Sequence, residues 1–280
     1  MISNKIDFAV VFEVNNANPN GDPINGNRPR ENYDGYGEVS DVCLKRKIRN
    51  RLQDSGYNIF VQSDDRNKDG FKSLSERAAG NDRLKAAGND REAYAKAACE
   101  QWVDVRSFGQ VFAFKKGGAK GVSVGVRGPV SIHHALSVCP VNISQMQITK
   151  SVNSEPGEGK SSDTMGTKYT VEHGLYVTYG SINPQLAEKT GFSDDDAEAI
   201  KNALITLFEN DSSAARPDGS MEVHKVVWWK HNCKAGQYSS AKVHRCLKVE
   251  ALNDDPRSVN DYNIEVRPLE GLAVEVYEGR

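Results

Sequence analysis

Long apolar runs are absent from the sequence. Nowhere among the 280 residues do about 18 apolar residues follow one another, the length that a membrane-spanning helix needs. We therefore expect no membrane contact. No apolar leader precedes the first strand-like run, and the five cysteines are an odd number for a chain of this size. These absences predict a reducing, cytoplasmic environment.

An excess of charge of one sign is also absent. The chain has 36 Lys and Arg against 38 Asp and Glu, which gives a formal net charge of -2. Overall attraction to nucleic acid is thereby excluded, and any such binding must come from local clusters of cations. The length suits one elaborated domain, so we predict a single domain over 1–280 with large insertions.

Apolar periodicity predicts how the fold opens. Residues 6–14 alternate in the period of a strand, and the other face of this strand is only half polar, as in a central strand. Ser40 can cap a helix whose apolar stripe recurs at four-residue spacing, with Leu44, Ile48 and Leu52. The fold therefore begins with a strand, a loop and a helix.

The second half of the chain repeats this order. Ser193 and Asp196 form a capping box at the start of a second amphipathic helix. Strands are predicted in two or three short pieces within 122–148, then at 167–182, 221–230, 242–252 and 273–277. Two strand-helix-strand units predict an α+β fold of ferredoxin-like type.

Three segments interrupt this pattern. Residues 15–37 are rich in Asn, Gly and Pro and predict an extended loop. Residues 64–100 are charged and Ala-rich, and they contain the hexamer Ala-Ala-Gly-Asn-Asp-Arg twice, at 78–83 and 86–91. We expect a peripheral helical insertion there. Residues 149–167 are polar and predict a projecting arm or hairpin.

The first predicted helix is strongly basic. Five of its residues between 45 and 51 are cations: Lys45, Arg46, Lys47, Arg49 and Arg51. A helical wheel puts Arg46 nearly opposite the apolar stripe, with Lys47 and Arg49 about 100° to either side. The ridge can neutralise successive phosphates, or it can be an ordinary solvated face. No acidic residue between Asp41 and Asp54 balances it, which favours phosphate binding.

The loop before this helix offers further polar groups. Arg28 and Arg30 can bring two more guanidinium groups to the same surface, or they can simply keep the loop soluble. The glycines and asparagines of 18–26, Asn18 and Asn20 among them, would permit close approach to a sugar-phosphate chain, and they are equally good turn formers. Both interpretations stay open for each group.

Several motifs together resemble a known family. They are Asn18-Pro19-Asn20-Gly21-Asp22-Pro23, Arg28-Pro29-Arg30, the run from Val39 to Arg49, Asp104-Val-Arg-Ser-Phe-Gly109, Arg127-Gly-Pro129, Ser161-Ser-Asp-Thr-Met-Gly166, His173-Gly-Leu-Tyr176 and Ala215-Arg-Pro-Asp-Gly219. Over most of residues 5–250 the chain resembles the backbone subunit of the type I-C CRISPR Cascade complex, a member of the RAMP superfamily.

The resemblance implies both a fold and a set of partners. The fold would be an RRM-like palm with insertions and a protruding thumb at 149–167. Several copies would stack along a CRISPR guide RNA (crRNA), and each thumb would fold over it and displace bases at regular intervals. Further partners would be target DNA, through its hybrid with the crRNA, and the large, small and crRNA-processing subunits of the complex. No catalysis by this subunit is implied.

Candidate RNA-binding residues follow from the basic helix, its loop and this resemblance. They are Asn18, Asn20, Arg28, Arg30, Lys45, Arg46, Lys47, Arg49, Phe108, Gly109, Lys150, Met165 and Lys168. Met165 is apolar and isolated in a polar arm, so it can be a wedge between bases or can pack back on the body. The half-polar face of the first strand carries no aromatic residue, so we do not expect bases to stack on the sheet. Binding should therefore be independent of sequence.

Other chemistry is weakly supported. The pairs His231-x-Cys233 and His244-x-Cys246 offer N and S ligands, but their spacing matches no zinc-finger pattern, and we predict ordinary buried side chains. His133 and His134 suggest an alternative function, a metal-independent endoribonuclease that processes CRISPR repeat RNA. Adjacent strand residues face opposite ways, however, which makes them poor partners for each other. We predict no catalytic residue, metal or cofactor.

Three further patterns do not indicate catalysis. Asp22 and Asp34 occupy the loop in which related RNA-cutting subunits carry an acidic residue, and we assign them to loop structure. The basic run 115–121 lacks the order of a phosphate-binding loop. Trp228 and Trp229 must face opposite ways on a strand, one into the core and the other, we expect, into a subunit contact.

Overall fold

The computed structural model describes residues 1–113, 123–152 and 165–280. The described strands are β1 (Ile6–Ala17), β2 (Gly21–Asp22), β3 (Arg28–Pro29), β4 (Tyr36–Val39), β5 (Gly109–Phe112), β6 (Val124–Arg127), β7 (Val130–Ile132), β8 (Ala135–Pro140), β9 (Ile143–Thr149), β10 (Met165–Ile182), β11 (Met221–Lys230), β12 (Leu247–Ala251), β13 (Tyr262–Val266) and β14 (Ala273–Glu278). The described α-helices are α1 (Asp41–Asp54), α2 (Leu74–Gly80), α3 (Asp82–Ala87), α4 (Arg91–Gln101), α5 (Val103–Phe108), α6 (Pro184–Thr190), α7 (Asp194–Ile205) and α8 (Ser240–His244).

The main sheet is built around β1. Its strands run in the order β14-β11-β1-β10-β8-β4, and β7 and β9 also pair with β10. β1 is antiparallel to both neighbours, with Phe12 opposite Tyr176 on β10 and Phe8 opposite Trp228 on β11. Both faces of β1 are buried from Ile6 to Val14, which confirms the prediction of a central strand.

Two helices cover the first face of the sheet. The apolar stripe of α1 packs with Ile200 and Leu204 of α7 on Phe8, Phe12 and Trp228 in one core. Both predicted helix starts are confirmed. The Ser40 hydroxyl accepts a hydrogen bond from Cys43 N, and Ser193 and Asp196 form the reciprocal capping box. These local bonds satisfy helix N–H groups that would otherwise lack partners.

A second layer covers the opposite face. Ala9, Val11 and Trp229 pack there with residues of α8 and of the β12–β13 hairpin, so the sheet lies in the middle of three layers. The expected subunit contact of one tryptophan is therefore wrong, since Trp229 is only 2% exposed and Trp228 is fully buried. The predicted strand at 242–252 begins late, because Ser239 caps the short helix α8 before β12.

The three interrupting segments take different forms. Within 15–37, β2 pairs with β3, and β4 joins the main sheet through β8. Within 64–100, α2, α3 and α4 pack on a separate apolar cluster around Phe60, Trp102 and Phe112. Within 149–167, β9 and β10 form a hairpin whose outer part, 153–164, lies outside the described residues, as does the whole basic run 115–121. In the described part of the chain no helix is long and apolar enough to cross a membrane.

Candidate nucleic-acid interface

Two loop asparagines fasten the loop after β1 to the rest of the fold. The Asn20 side-chain oxygen accepts hydrogen bonds from both the backbone N and the hydroxyl of Ser40, each at 2.9 Å. Asn18 is buried, and its side-chain amide donates to Asn27 O at 2.6 Å. Arg216 donates to the Asn18 backbone oxygen. These asparagines therefore lie where the loop after β1 contacts the start of α1, and their polar groups face the interior of the protein.

Acidic residues from distant parts of the sequence pair with the cations of α1. Lys47 is only 3% exposed and forms an ion pair with Asp211. Arg49 Nε donates to Asp104 at 3.0 Å, and Arg51 contacts Glu209. The prediction that Lys47 lies on an open ridge is therefore wrong. Inspection of residues 41–54 alone could not reveal carboxylates that the fold brings from elsewhere.

The other two helix cations bond to groups that are nearer in the sequence. Arg46 Nη1 donates to Val61 O at 2.7 Å, and burial, followed by the nearby charge of Arg49, lowers the pKa of Arg46. Lys45 Nζ donates to Asp41 at 2.9 Å, one turn earlier on the helix. Lys45 and Asp41 are both partly exposed. Of the five cations, Lys45 therefore has the partner that solvent reaches most easily.

The loop arginines have partly exposed partners as well. Arg28 contacts Glu31 at 3.4 Å, and its guanidinium lies 5.8 Å from the centre of the Tyr169 ring on β10. Arg30 contacts Asp22 at 3.3 Å. The contact with Tyr169 joins the loop to the base of the β9–β10 hairpin.

Phe108 and Gly109 have structural positions. Phe108 is half-buried against the main core, under the Arg49 guanidinium at 5.1 Å. Gly109 has a φ of 81°, and a Cβ atom there would come within 2.3 Å of Val126 O. The motifs at 104–109 and 127–129 meet at this point, since that atom would also lie 2.8 Å from Gly128 N. Only glycine fits such a close approach at positive φ.

The hairpin has two distinguishable faces. Met165 lies opposite Thr149, and Tyr169 lies opposite Gln145, so both belong to the face that Arg28 contacts. Lys168 lies opposite Met146 on the other face. Met165 is 61% exposed, so the alternative that it packs back on the body is wrong. Lys150 directly follows β9 and is exposed.

Two exposed residues of the loop were not predicted from the sequence. Tyr33 is fully exposed and Ile24 is 96% exposed, although both side chains are largely apolar. The signal was present, because each is a large side chain in a polar segment, an observation similar to the one that singled out Met165. An exposed ring of this kind can stack on a base.

Ion-pair energies divide the candidate cations into two groups. Exposed pairs contribute about 0–1 kcal/mol, so phosphates can replace the carboxylates beside Arg28, Arg30 and Lys45 at little cost. Breaking a buried pair by removing one partner costs about 3–5 kcal/mol, which opposes any exchange at Lys47 or Arg49. The accessible surface is therefore the loop, the first two turns of α1 and the adjoining hairpin face.

The histidine and cysteine pairs do not gather into a ligand set. His231 Nε2 donates to the buried Asp7 carboxylate at 2.8 Å, while its Nδ1 accepts from Gln237 N at 2.9 Å. His244 Nε2 donates to Gly180 O at 3.1 Å. Cys233 and Cys246, like the other three cysteines, are free thiols. His133 and His134 are exposed, and the His133 ring lies edge-on to His244 with ring centres 5.7 Å apart.

Comparison with known proteins gives a consistent result. The family model described as "CRISPR-associated protein Cas7" matches residues 4–267. A protein of Haloferax volcanii named "CRISPR-associated protein Cas7" is 25% identical, over 95% of this chain and 82% of that protein. A solved structure titled "CRISPR RNA-guided surveillance complex, pre-nicking" aligns with a TM-score of 0.51 at 15% identity, over 80% of this chain and 78% of that one. The last similarity concerns the fold alone.

Proposed function

The chain belongs to the CRISPR-associated Cas7 family, and on that premise we propose that it is a non-catalytic backbone subunit of a Cascade surveillance complex. Several copies would coat one crRNA, hold its phosphates and leave its bases free to pair with target DNA. The family match over residues 4–267 is the observation that carries this proposal. The motifs noted in the sequence support type I-C as its subtype.

We infer that the palm is ferredoxin-like. Strands β11, β1, β10 and β8 are neighbours in that order, and α1 and α7 pack on one face, as two strand-helix-strand units would arrange them. The insertions at 15–37 and 64–100 and the thumb at 149–167 would extend from this palm. In RRM domains the open sheet face stacks bases on aromatic residues. Here α8 and the β12–β13 hairpin cover that face, which supports contact through phosphates.

We propose a narrower set of RNA contacts than the sequence suggested. Arg28, Arg30 and Lys45 would bind phosphates, since solvent reaches these cations and their carboxylate partners. Met165 would act as the wedge between bases, and Tyr33 would stack on one. The remaining candidates in the loop and on α1 would act by fixing the geometry of this surface. Phe108 and Gly109 would have the same supporting role.

The salt dependence of RNA binding tests the phosphate contacts. Replacing Arg28, Arg30 and Lys45 together by Gln should weaken binding for every RNA sequence alike. Each lost contact should make the log–log salt slope shallower by about 0.7, hence by about 2 for three contacts. Filter binding across a salt series would measure this. The matched control replaces Arg83 and Lys85 on α3, which also form exposed ion pairs.

An unchanged slope in the triple variant, or an equal change in the control, would contradict the assignment.

The same preparation tests the absence of catalysis. Labelled precursor RNA incubated in EDTA should stay intact. Cleavage that is lost on His133→Ala or His134→Ala would instead support a metal-independent endoribonuclease.

A further inference from the structure

Two carboxylates face each other across the β1–β11 pair. Glu13 on β1 lies directly opposite Glu222 on β11 in the strand register. Like charges in directly opposite positions destabilise a sheet. Among the described residues, no Lys or Arg forms an ion pair with either carboxylate, and the imidazoles of His173 and His224 both lie beside Glu13. Such a pair of carboxylates is stabilised by a cation placed between them.

A β-bulge turns His224 toward the same place. The register shifts so that Val11 faces Lys225 while Phe12 faces Val223, which leaves His224 as the extra residue. Val223 and Val226 both remain in the core on the helix-covered face, although residues three apart on a regular strand point opposite ways. His224 Nε2 lies 3.1 Å from Glu13 Oε2. Bulges that re-aim a side chain are typical next to functional sites.

Glu13 keeps one oxygen without a hydrogen bond. Its residue is only 7% exposed, and its Oε1 atom is buried with no hydrogen-bond partner. His173 Nδ1 lies 3.4 Å from that oxygen, but it makes its hydrogen bond with Asn15 Oδ1 at 2.9 Å. A buried carboxylate oxygen without a hydrogen-bond partner lowers the stability of the fold, and a ligand that binds this oxygen would restore that stability.

We propose that Glu13, Glu222 and His224 form a binding site for a divalent transition-metal ion of the Zn²⁺ class. One ligand atom from each residue lies within 4.8 Å of the others. In a tetrahedral zinc site neighbouring ligand atoms are about 3.3 Å apart, close to the distance between His224 and Glu13, so small side-chain movements complete the set. A nitrogen ligand with two carboxylates favours a borderline ion over Mg²⁺ or Ca²⁺.

The position of the site suggests what the ion does. Glu222 is exposed and gives the ion a path from solvent, while Glu13 is buried. The site joins β1 to β11 four residues before β1 ends at Ala17, where the loop after β1 begins. A bound ion would therefore hold the start of that loop. His173 lies beside Glu13 and can supply a fourth ligand by turning away from Asn15.

Metal titration of the full chain tests the site. Tag-free protein is stripped with EDTA, freed of chelator and titrated with Zn²⁺ by calorimetry and with Co²⁺ by visible absorption. We expect one equivalent of Zn²⁺, and a Co²⁺ spectrum of nitrogen and oxygen ligands without a thiolate band. Glu222→Gln should weaken binding at least tenfold, because it removes a charged ligand and its exposed position keeps the fold intact. Glu250→Gln, an exposed strand glutamate on β12, should bind as the parent does.

Thermal unfolding adds a second and independent readout. Without metal, Glu222→Gln should melt at or above the temperature of the parent, because it removes the repulsion from Glu13. With excess Zn²⁺ the order should reverse, because an ion that binds only the folded state raises its stability. The proposal would be overturned if the parent bound no stoichiometric Zn²⁺, or if Glu222→Gln and His224→Gln bound it as tightly as the parent does. A thiolate band with Co²⁺ would overturn it as well.

Discussion

Asp104 joins three parts of the chain through one carboxylate. Its Oδ1 atom accepts from Phe60 N at 2.8 Å, and its Oδ2 atom accepts from Val61 N and Arg49 Nε, each at 3.0 Å. The carboxylate is 1% exposed, so these bonds replace all of its contacts with water. The helix α1, the segment after it and α5 are therefore fixed to one another at this point.

Replacing Asp104 should be strongly destabilising. Asp104→Ala would leave the partly buried Arg49 guanidinium and two backbone N–H groups without partners, and the free energy of unfolding should fall by about 3–5 kcal/mol. Chemical denaturation measures the change. Asp34→Ala, at an exposed loop position, is the control and should leave the midpoint unchanged. A loss below about 1 kcal/mol would show that Asp104 does not fasten these elements.

His244 makes stability depend on pH. Burial lowers the pKa of His244, and the charge of Asp7, 3.7 Å away, only partly offsets this. Below the unfolded value of about 6.5 the unfolded chain binds the proton first, so stability is lost as the pH falls through that value. His133 and Lys5 oppose protonation in the same way.

His244→Gln should therefore flatten the pH dependence. The amide can still donate to Gly180 O but does not titrate. We expect the urea midpoint of the parent to decrease as the pH is lowered from about 7.5 to about 5.5. The midpoint of the variant should decrease less. His134→Gln, at an exposed histidine, should follow the parent. Equal slopes for the parent and His244→Gln would contradict this prediction.

At the scale of residues, local contacts could be predicted and distant ones could not. Ser40 and the Ser193–Asp196 box act within one helical turn, so the sequence is enough to identify them. The partner of Lys47 comes from the segment after α7, and that of Arg49 comes from α5. The intervening sequence does not show that these residues meet. The basic helix therefore looked more open than it is.

At the scale of elements, strands and helices with strong apolar periodicity were predicted well, and short elements were not. β11 spans Met221–Lys230, as predicted, while the strand predicted at 242–252 includes the last three residues of α8, because five residues are too few to show a helical period. β13 was missed although Tyr262, Ile264 and Val266 alternate as a strand does. The covering layer on the second sheet face was missed with them.

The β9–β10 hairpin supports a prediction about guide geometry. Met165 and Met146 are equally exposed, at 61% and 64%, but they lie on opposite faces of the hairpin. Met165→Ser should leave stability unchanged and reduce the displacement of bases, because the wedge is lost. Guides that carry 2-aminopurine report unstacked bases by their fluorescence. Met146→Ser is the matched control, and an equal effect of both variants would contradict the wedge.

At the scale of the whole molecule, the three layers decide how RNA can be bound. Each sheet face is covered, by α1 and α7 on one side and by α8 and the β12–β13 hairpin on the other. The surface that we propose for RNA is formed by the loop after β1, the first two turns of α1 and one face of the hairpin. Such an edge surface favours contact with successive phosphates and leaves the base edges free to pair.

Electron microscopy of the chain co-expressed with its guide RNA tests the central proposal most directly. A backbone subunit should purify with the RNA and form a filament of repeating copies, whose number rises in steps as the guide is lengthened. The triple variant of Arg28, Arg30 and Lys45 should give fewer and shorter filaments. Isolated monomers, or particles whose size does not depend on guide length, would contradict the proposal.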